Sequence, residues 1–161
     1  MEGIVKMFKM KFGFSVIGLI IFMAPMLINI VYFMYPPVNN ATAGSASVNK
    51  VIEMVEQVTR VLYCLAICFL VSEQKVNFKS PWFYIGLIFL VLYYIVWIRY
   101  FAGGRDVVLL GKSFLWIPQP LAVFPVLYFI CAAVWLYNVP ALLSMIAFGA
   151  AHNYISYITL N

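Results

Sequence analysis

From Phe12 to Tyr35 the chain carries no charged side chain, and the same holds for residues 121–137 and 141–160. About 20 consecutive apolar residues are enough to cross the hydrocarbon of a bilayer. There a chain has no water to bond its backbone, so such runs must be helical. This one feature confines the fold to an all-α, polytopic membrane helix bundle. Five segments of this kind can be read, at about 12–35, 50–72, 81–101, 121–137 and 141–160, and they make up a single integral membrane domain over 1–161.

Composition agrees. Only 9% of the 161 residues are charged and the mean hydropathy is +1.01, where a soluble domain carries about 25% charged residues. The excess of basic residues, +5 in all, is no nucleic-acid footprint, because Lys6, Lys9 and Lys11 precede an apolar run, where lysines set topology. Lys75 and Lys79 fall on the same side of an alternating bundle, opposite Lys50, Arg99, Arg105 and Lys112. That thin majority favours a multi-pass protein of the cytoplasmic membrane with the N-terminus inside and the C-terminus outside. Cys64, Cys68 and Cys131 all lie in apolar segments and read as free, packing thiols. Neither a metal-ligand set nor a cofactor motif accompanies them.

Local signals divide the segments. Pro25 removes a backbone donor within the first helix and Pro36-Pro37 ends it. Residues 36–49 form a polar loop in which Asn40-Ala41-Thr42 matches a glycosylation acceptor and Ala41-Thr42-Ala43 a cleavage site, although the apolar run is too long for a signal peptide. Ser47 or Asn49 offers the next N-cap. Ser80 and Pro81 open the third helix, Gly103-Gly104 closes it, and Trp82, Tyr84, Trp97 and Tyr100 form aromatic belts at its ends. Residues 107–116 read as a short interfacial segment, and Asn138-Val139-Pro140 as a tight turn.

The second segment differs from the others. Glu53, Glu56, Gln57, Arg60, Cys64 and Cys68 recur at steps of three and four, so a helix gathers them on one face. Ionisable groups at membrane depth are expensive and face partners or water. Counting 1.5 Å per residue puts Glu56 and Arg60 roughly 5–12 Å from one bilayer surface, and Asn29 and His152 roughly 9–12 Å from it. Arg99 and Gln119 fall near the same surface, and Asn153 lies beside His152. These nine residues (Asn29, Glu53, Glu56, Gln57, Arg60, Arg99, Gln119, His152, Asn153) are therefore expected to line one polar pocket in the outer leaflet, with Arg60 held by Glu56, His152 and Asn153.

Such a pocket suits a small ligand, a lipid headgroup or a partner membrane protein, in an accessory, immunity-like or sensing role known among small polytopic bacterial proteins. Two other readings are a subunit of a homo-oligomeric transporter and an acid–base enzyme using Glu56 and His152 on a lipid-like substrate. The first lacks polar lining through the inner half, and the second lacks a nucleophile.

Overall fold

The computed structural model describes residues 9–39 and 48–160. Lys6, Ser47 and the patterns at residues 40–43 lie outside them. The described residues form six helices and one pair of short strands. Strand β1 (Met10–Phe12) leads into α1 (Val16–Met34), which is followed by α2 (Lys50–Phe69) and β2 (Leu70–Ser72). Helix α3 (Pro81–Ala102), the short α4 (Val108–Gly111), α5 (Pro120–Trp135) and α6 (Val139–Leu160) complete the chain. The strands were not expected. Residues 70–72, read as the end of a helix, instead pair antiparallel with 10–12, Lys11 opposite Val71.

Among the described residues, three helices are long and apolar enough to cross a membrane: α1, α3 and residues 139–159 of α6. Helix α2 has the length but carries Lys50, Glu53, Glu56 and Arg60. Helix α5 is apolar throughout but only 16 residues long, about 24 Å at 1.5 Å per residue.

The bundle is built around α5. A helix that is apolar on all sides belongs in an interior, and α5 buries Phe124, Tyr128, Phe129, Cys131 and Trp135 between α3 on one side and α6 on the other. Helix α6 in turn packs along α2. Helix α1 crosses obliquely. At its N-terminal end it lies against α2, where Ser15 N donates to the Cys68 carbonyl at 2.8 Å. At its C-terminal end it has moved to α3, where Tyr93 Oη donates to Asn29 Oδ1 at 2.7 Å and Tyr32 packs on Trp97. In between, Pro25 lacks the N–H that would satisfy the Ile21 carbonyl, and Tyr128 Oη donates to that carbonyl at 3.0 Å.

Gly18 sits where α1 and α2 meet, and a Cβ at this position would overlap the Ile67 carbonyl oxygen. Backbone cannot yield as a side chain tip can. Gly18→Ala should therefore cost about 1–3 kcal/mol through forced separation of the two helices, measured as a lowered thermal midpoint in detergent.

One end of the bundle holds the strand pair, the 73–80 connection and the α5–α6 junction, where Trp135 Nε1 donates to the Asn77 carbonyl. At the other end the residues after α1 meet the α3–α5 connection. Val38 N donates to the Arg105 carbonyl, Asn39 Nδ2 to Asp106 Oδ1 at 3.0 Å, and Val107 N to Asn39 Oδ1 at 3.0 Å. The Asn39 amide and then the Val108 N–H hold the Asp106 carboxyl below its ordinary value. A depressed carboxyl contributes stability above its unfolded pKa and loses it as pH falls through the folded one. Acidification below about pH 4 should thus loosen this clasp, seen as faster amide exchange at Val107 and Val108, and Asp106→Asn should abolish the pH dependence.

Candidate functional site

Helical geometry divides the polar residues of α2 between two faces. Glu56 lies on the side that meets α6, together with Tyr63 and Ile67, and is only 7% exposed. Arg60, one turn on, places Nη2 at 2.6 Å from Glu56 Oε1. From α6, His152 brings Nδ1 to 2.8 Å from the same oxygen. Which of the two groups donates in this contact follows the tautomer of the imidazole. Phe148, one turn before His152, supplies the platform: its ring stacks on the imidazole with centroids 4.9 Å apart and lies under the Arg60 guanidinium at 5.5 Å.

A single buried oxygen therefore ties two helices together through a cation and an imidazole. The arrangement is asymmetric in access. The Glu56 side chain is 9% exposed and that of His152 28%, but that of Arg60 is 47% exposed. Glu56 is occupied from within, while part of the guanidinium faces outward. The chemistry on offer is hydrogen-bond donation and positive charge from Arg60. Glu53 and Gln57 are also exposed, along the edge of α2 beside Arg60.

The remaining candidates do not join this cluster. Asn153 turns back along its own helix, its Nδ2 donating to the Gly149 carbonyl at 2.7 Å, and its Oδ1 is buried without a partner. Asn29 bonds Tyr93 of α3. Arg99 clasps the end of α3 to the following connection, donating to the carbonyls of Lys112 at 2.6 Å and Ser113 at 3.0 Å and lying over Phe114. Gln119 is 4% exposed in a left-handed conformation, and its backbone carbonyl accepts from Ala122 N and Val123 N at the start of α5. Eight of the nine residues thus separate into a cluster between α2 and α6, a second polar set between α1, α3 and the 103–119 connection, and the exposed edge of α2, while Asn153 bonds only its own helix. Their common depth gave no information on which neighbour each would face.

Asn138 is a residue the sequence reading passed over as part of a turn. It is 2% exposed. Its Nδ2 donates to the carbonyls of Ala66 at 2.8 Å and Leu70 at 2.9 Å, and its Oδ1 accepts from Ala141 N at 3.0 Å. An Asn directly before an apolar helix is an N-cap signal, and that signal was present. Asn138 closes the α2–α6 seam at the end opposite to Glu56.

Cys64 is half-buried, Cys68 and Cys131 are buried, and all three are free. Among the described residues, no group of three or more His, Cys, Asp or Glu side chains could hold a metal ion. A groove of about 430 Å³ lies further along α2, lined by Leu62, Leu65, Phe69 and Pro140 among others. It is apolar and apart from the cluster. No protein-family model matches the chain, and neither a curated protein nor a solved structure shows detectable similarity to it.

Proposed function

We propose that the chain is a multi-pass protein of the cytoplasmic membrane that works by association. In this reading α1, α2, α3, α5 and α6 all span, with the N-terminus inside and the C-terminus outside. The Glu56–Arg60–His152 cluster then lies in the outer half of the bilayer and receives a partner helix, a lipid headgroup or a small ligand. The observation that carries the reading is the shared Glu56 oxygen with a half-exposed Arg60 beside it. Arg60 spends only Nη2 on Glu56, which leaves the rest of its half-exposed guanidinium to engage something else, and charge at such depth is kept for function.

The short α5 fits a span because its ends are buried in protein. Non-helical backbone is tolerated at membrane depth when protein surrounds it, and Gln119 and Asn138 provide such surroundings. A transporter is the weaker reading, since the acidic and basic groups of α2 stop at Arg60 and the rest of that helix is apolar apart from Tyr63 and two thiols. An acid–base enzyme is a weaker reading too, since the Glu56 oxygen that would move a proton is engaged by both Arg60 and His152.

Topology tests this directly. Reporter fusions after Asn40, Lys75, Arg105, Asn138 and Asn161 should alternate, with Asn40, Arg105 and Asn161 outside. If Asn40 and Arg105 report opposite sides, the cluster is not confined to one leaflet and the reading fails.

A further inference from the structure

We infer that the turn from Phe114 to Ile117 is a lipid anchor, whose tip residues Leu115 and Trp116 insert into the interfacial layer of the bilayer. The inference rests on the reading of α3 as a membrane span.

The turn is tied on both sides. Phe114 N donates to the Ile117 carbonyl at 3.1 Å, and Ile117 N to the Phe114 carbonyl at 3.0 Å. Between them Leu115 and Trp116 both have left-handed backbone, with φ of 51° and 59°. A two-residue hairpin turn demands this conformation, which suits Asn-Gly and strains a pair of bulky apolar residues. Packing within the chain does not account for the pair, since Leu115 is 56% and Trp116 98% exposed. A strained turn that holds two large apolar side chains outward points to a contact beyond the chain.

The place of the turn says what that contact is. Ile88, Val91 and Ile95 are exposed and follow one another at steps of three and four along α3. The same face reaches Arg99 one turn later. In a spanning helix this row faces lipid. Arg99 carries the connection, donating to the carbonyls of Lys112 and Ser113 and lying over the Phe114 ring. The turn therefore hangs at the lipid-facing edge of α3. Phe114 also meets Phe124 edge-on, with ring centroids 6.3 Å apart, and Phe124 belongs to the second turn of α5. The connection thus folds back beside the helix ends and does not rise above them. That is the level of the bilayer interface, where tryptophan is favoured because its ring is apolar and its N–H can reach headgroups or water. Lys112, exposed two residues before the turn, adds a cation suited to lipid phosphates.

The test is a nitroxide label on the full chain in lipid nanodiscs, with Cys64, Cys68 and Cys131 replaced by Ala and one cysteine introduced at a time. At Trp116→Cys the ratio of oxygen to nickel-chelate accessibility should be several-fold above that at Lys79→Cys, the reference in water. It should stay below that at Ile88→Cys, the reference in hydrocarbon. A second measurement uses the protein's own fluorescence in a chain with Trp82→Phe, where Trp97 and Trp135 are buried. Lipids brominated high on the acyl chain should quench its emission, and adding Trp116→Phe should remove most of that quenching. Leu115→Asn with Trp116→Gly, which relaxes the turn, should leave the thermal midpoint in detergent unchanged or raised; a lowered midpoint would mean that the pair packs within the chain and would overturn the anchor. Water-like accessibility at position 116 with Ile88 in hydrocarbon, or quenching unaffected by Trp116→Phe, also overturns it and leaves the tip to a partner in water. If position 88 reads as water too, α3 does not span and both readings fall.

Discussion

Glu56→Ala is expected to lower the stability of the detergent-solubilised protein by about 3–5 kcal/mol, the usual cost of removing one member of a buried charge pair. The change leaves Arg60 and His152 facing a gap without an acceptor. Arg60 is half exposed and its stem can swing the charge toward the surface, which holds the loss to the lower part of that range. His152 has less freedom, stacked against Phe148 on α6. Glu56→Gln keeps one acceptor oxygen at the same place and should cost clearly less. Thermal unfolding of both variants measures the difference. Equal, negligible losses would mean that Glu56 is solvated and that the α2–α6 seam does not depend on it.

A comparable loss is expected for Asn138→Ala. This side chain makes three hydrogen bonds to backbone groups of α2, β2 and α6. Each buried polar group left without a partner costs about 1–3 kcal/mol. The Ala66 carbonyl keeps the N–H of Leu70, so two groups, the Leu70 carbonyl and Ala141 N, bear most of the penalty. A total near 3 kcal/mol follows, or loss of expression if the chain is marginal. Asn138→Asp keeps the acceptor for Ala141 N but cannot donate to the carbonyls. It should be at least as harmful, which separates the donor role from simple capping. If Asn138→Asp matches the parent protein, the two carbonyls are not being satisfied by this residue.

Much of the architecture was readable because hydrophobic runs and helix signals act locally. Pro81 opens α3 and Gly103 ends it, as the sequence indicates. Asn49 caps α2, its Oδ1 accepting from Val51 N. The strand pair escaped notice because each strand is only three residues long, too short for a period to show, and the two meet only after the chain has crossed α1 and α2. At the site, spacing alone gathered Glu56, Arg60 and the exposed Glu53 and Gln57 into one stripe. Adjacent residues on a helix differ by 100°, so which edge of a stripe is buried depends on the neighbour. Here Phe148 and His152 of α6 decide for Glu56 and against Gln57. Depth counting similarly placed Asn29 and Arg99 at the level of the cluster, but it carries no azimuth, and the oblique path of α1 takes Asn29 to Tyr93 instead.

The most direct measurement is the stability of Arg60→Met, Glu56→Gln and the double variant, compared with the parent in the same detergent. The account predicts that Arg60→Met alone lowers the thermal midpoint, because Glu56 keeps only His152 as a partner for its buried charge. Adding Glu56→Gln to that variant should recover most of the loss, since the remaining amide and imidazole form a neutral pair. Non-additivity of this kind marks groups that act as a unit, whereas exposed charges can be removed singly at little cost. Three variants indistinguishable from the parent would contradict the account: the stripe would then be a solvated edge of the bundle, and no site would exist between α2 and α6.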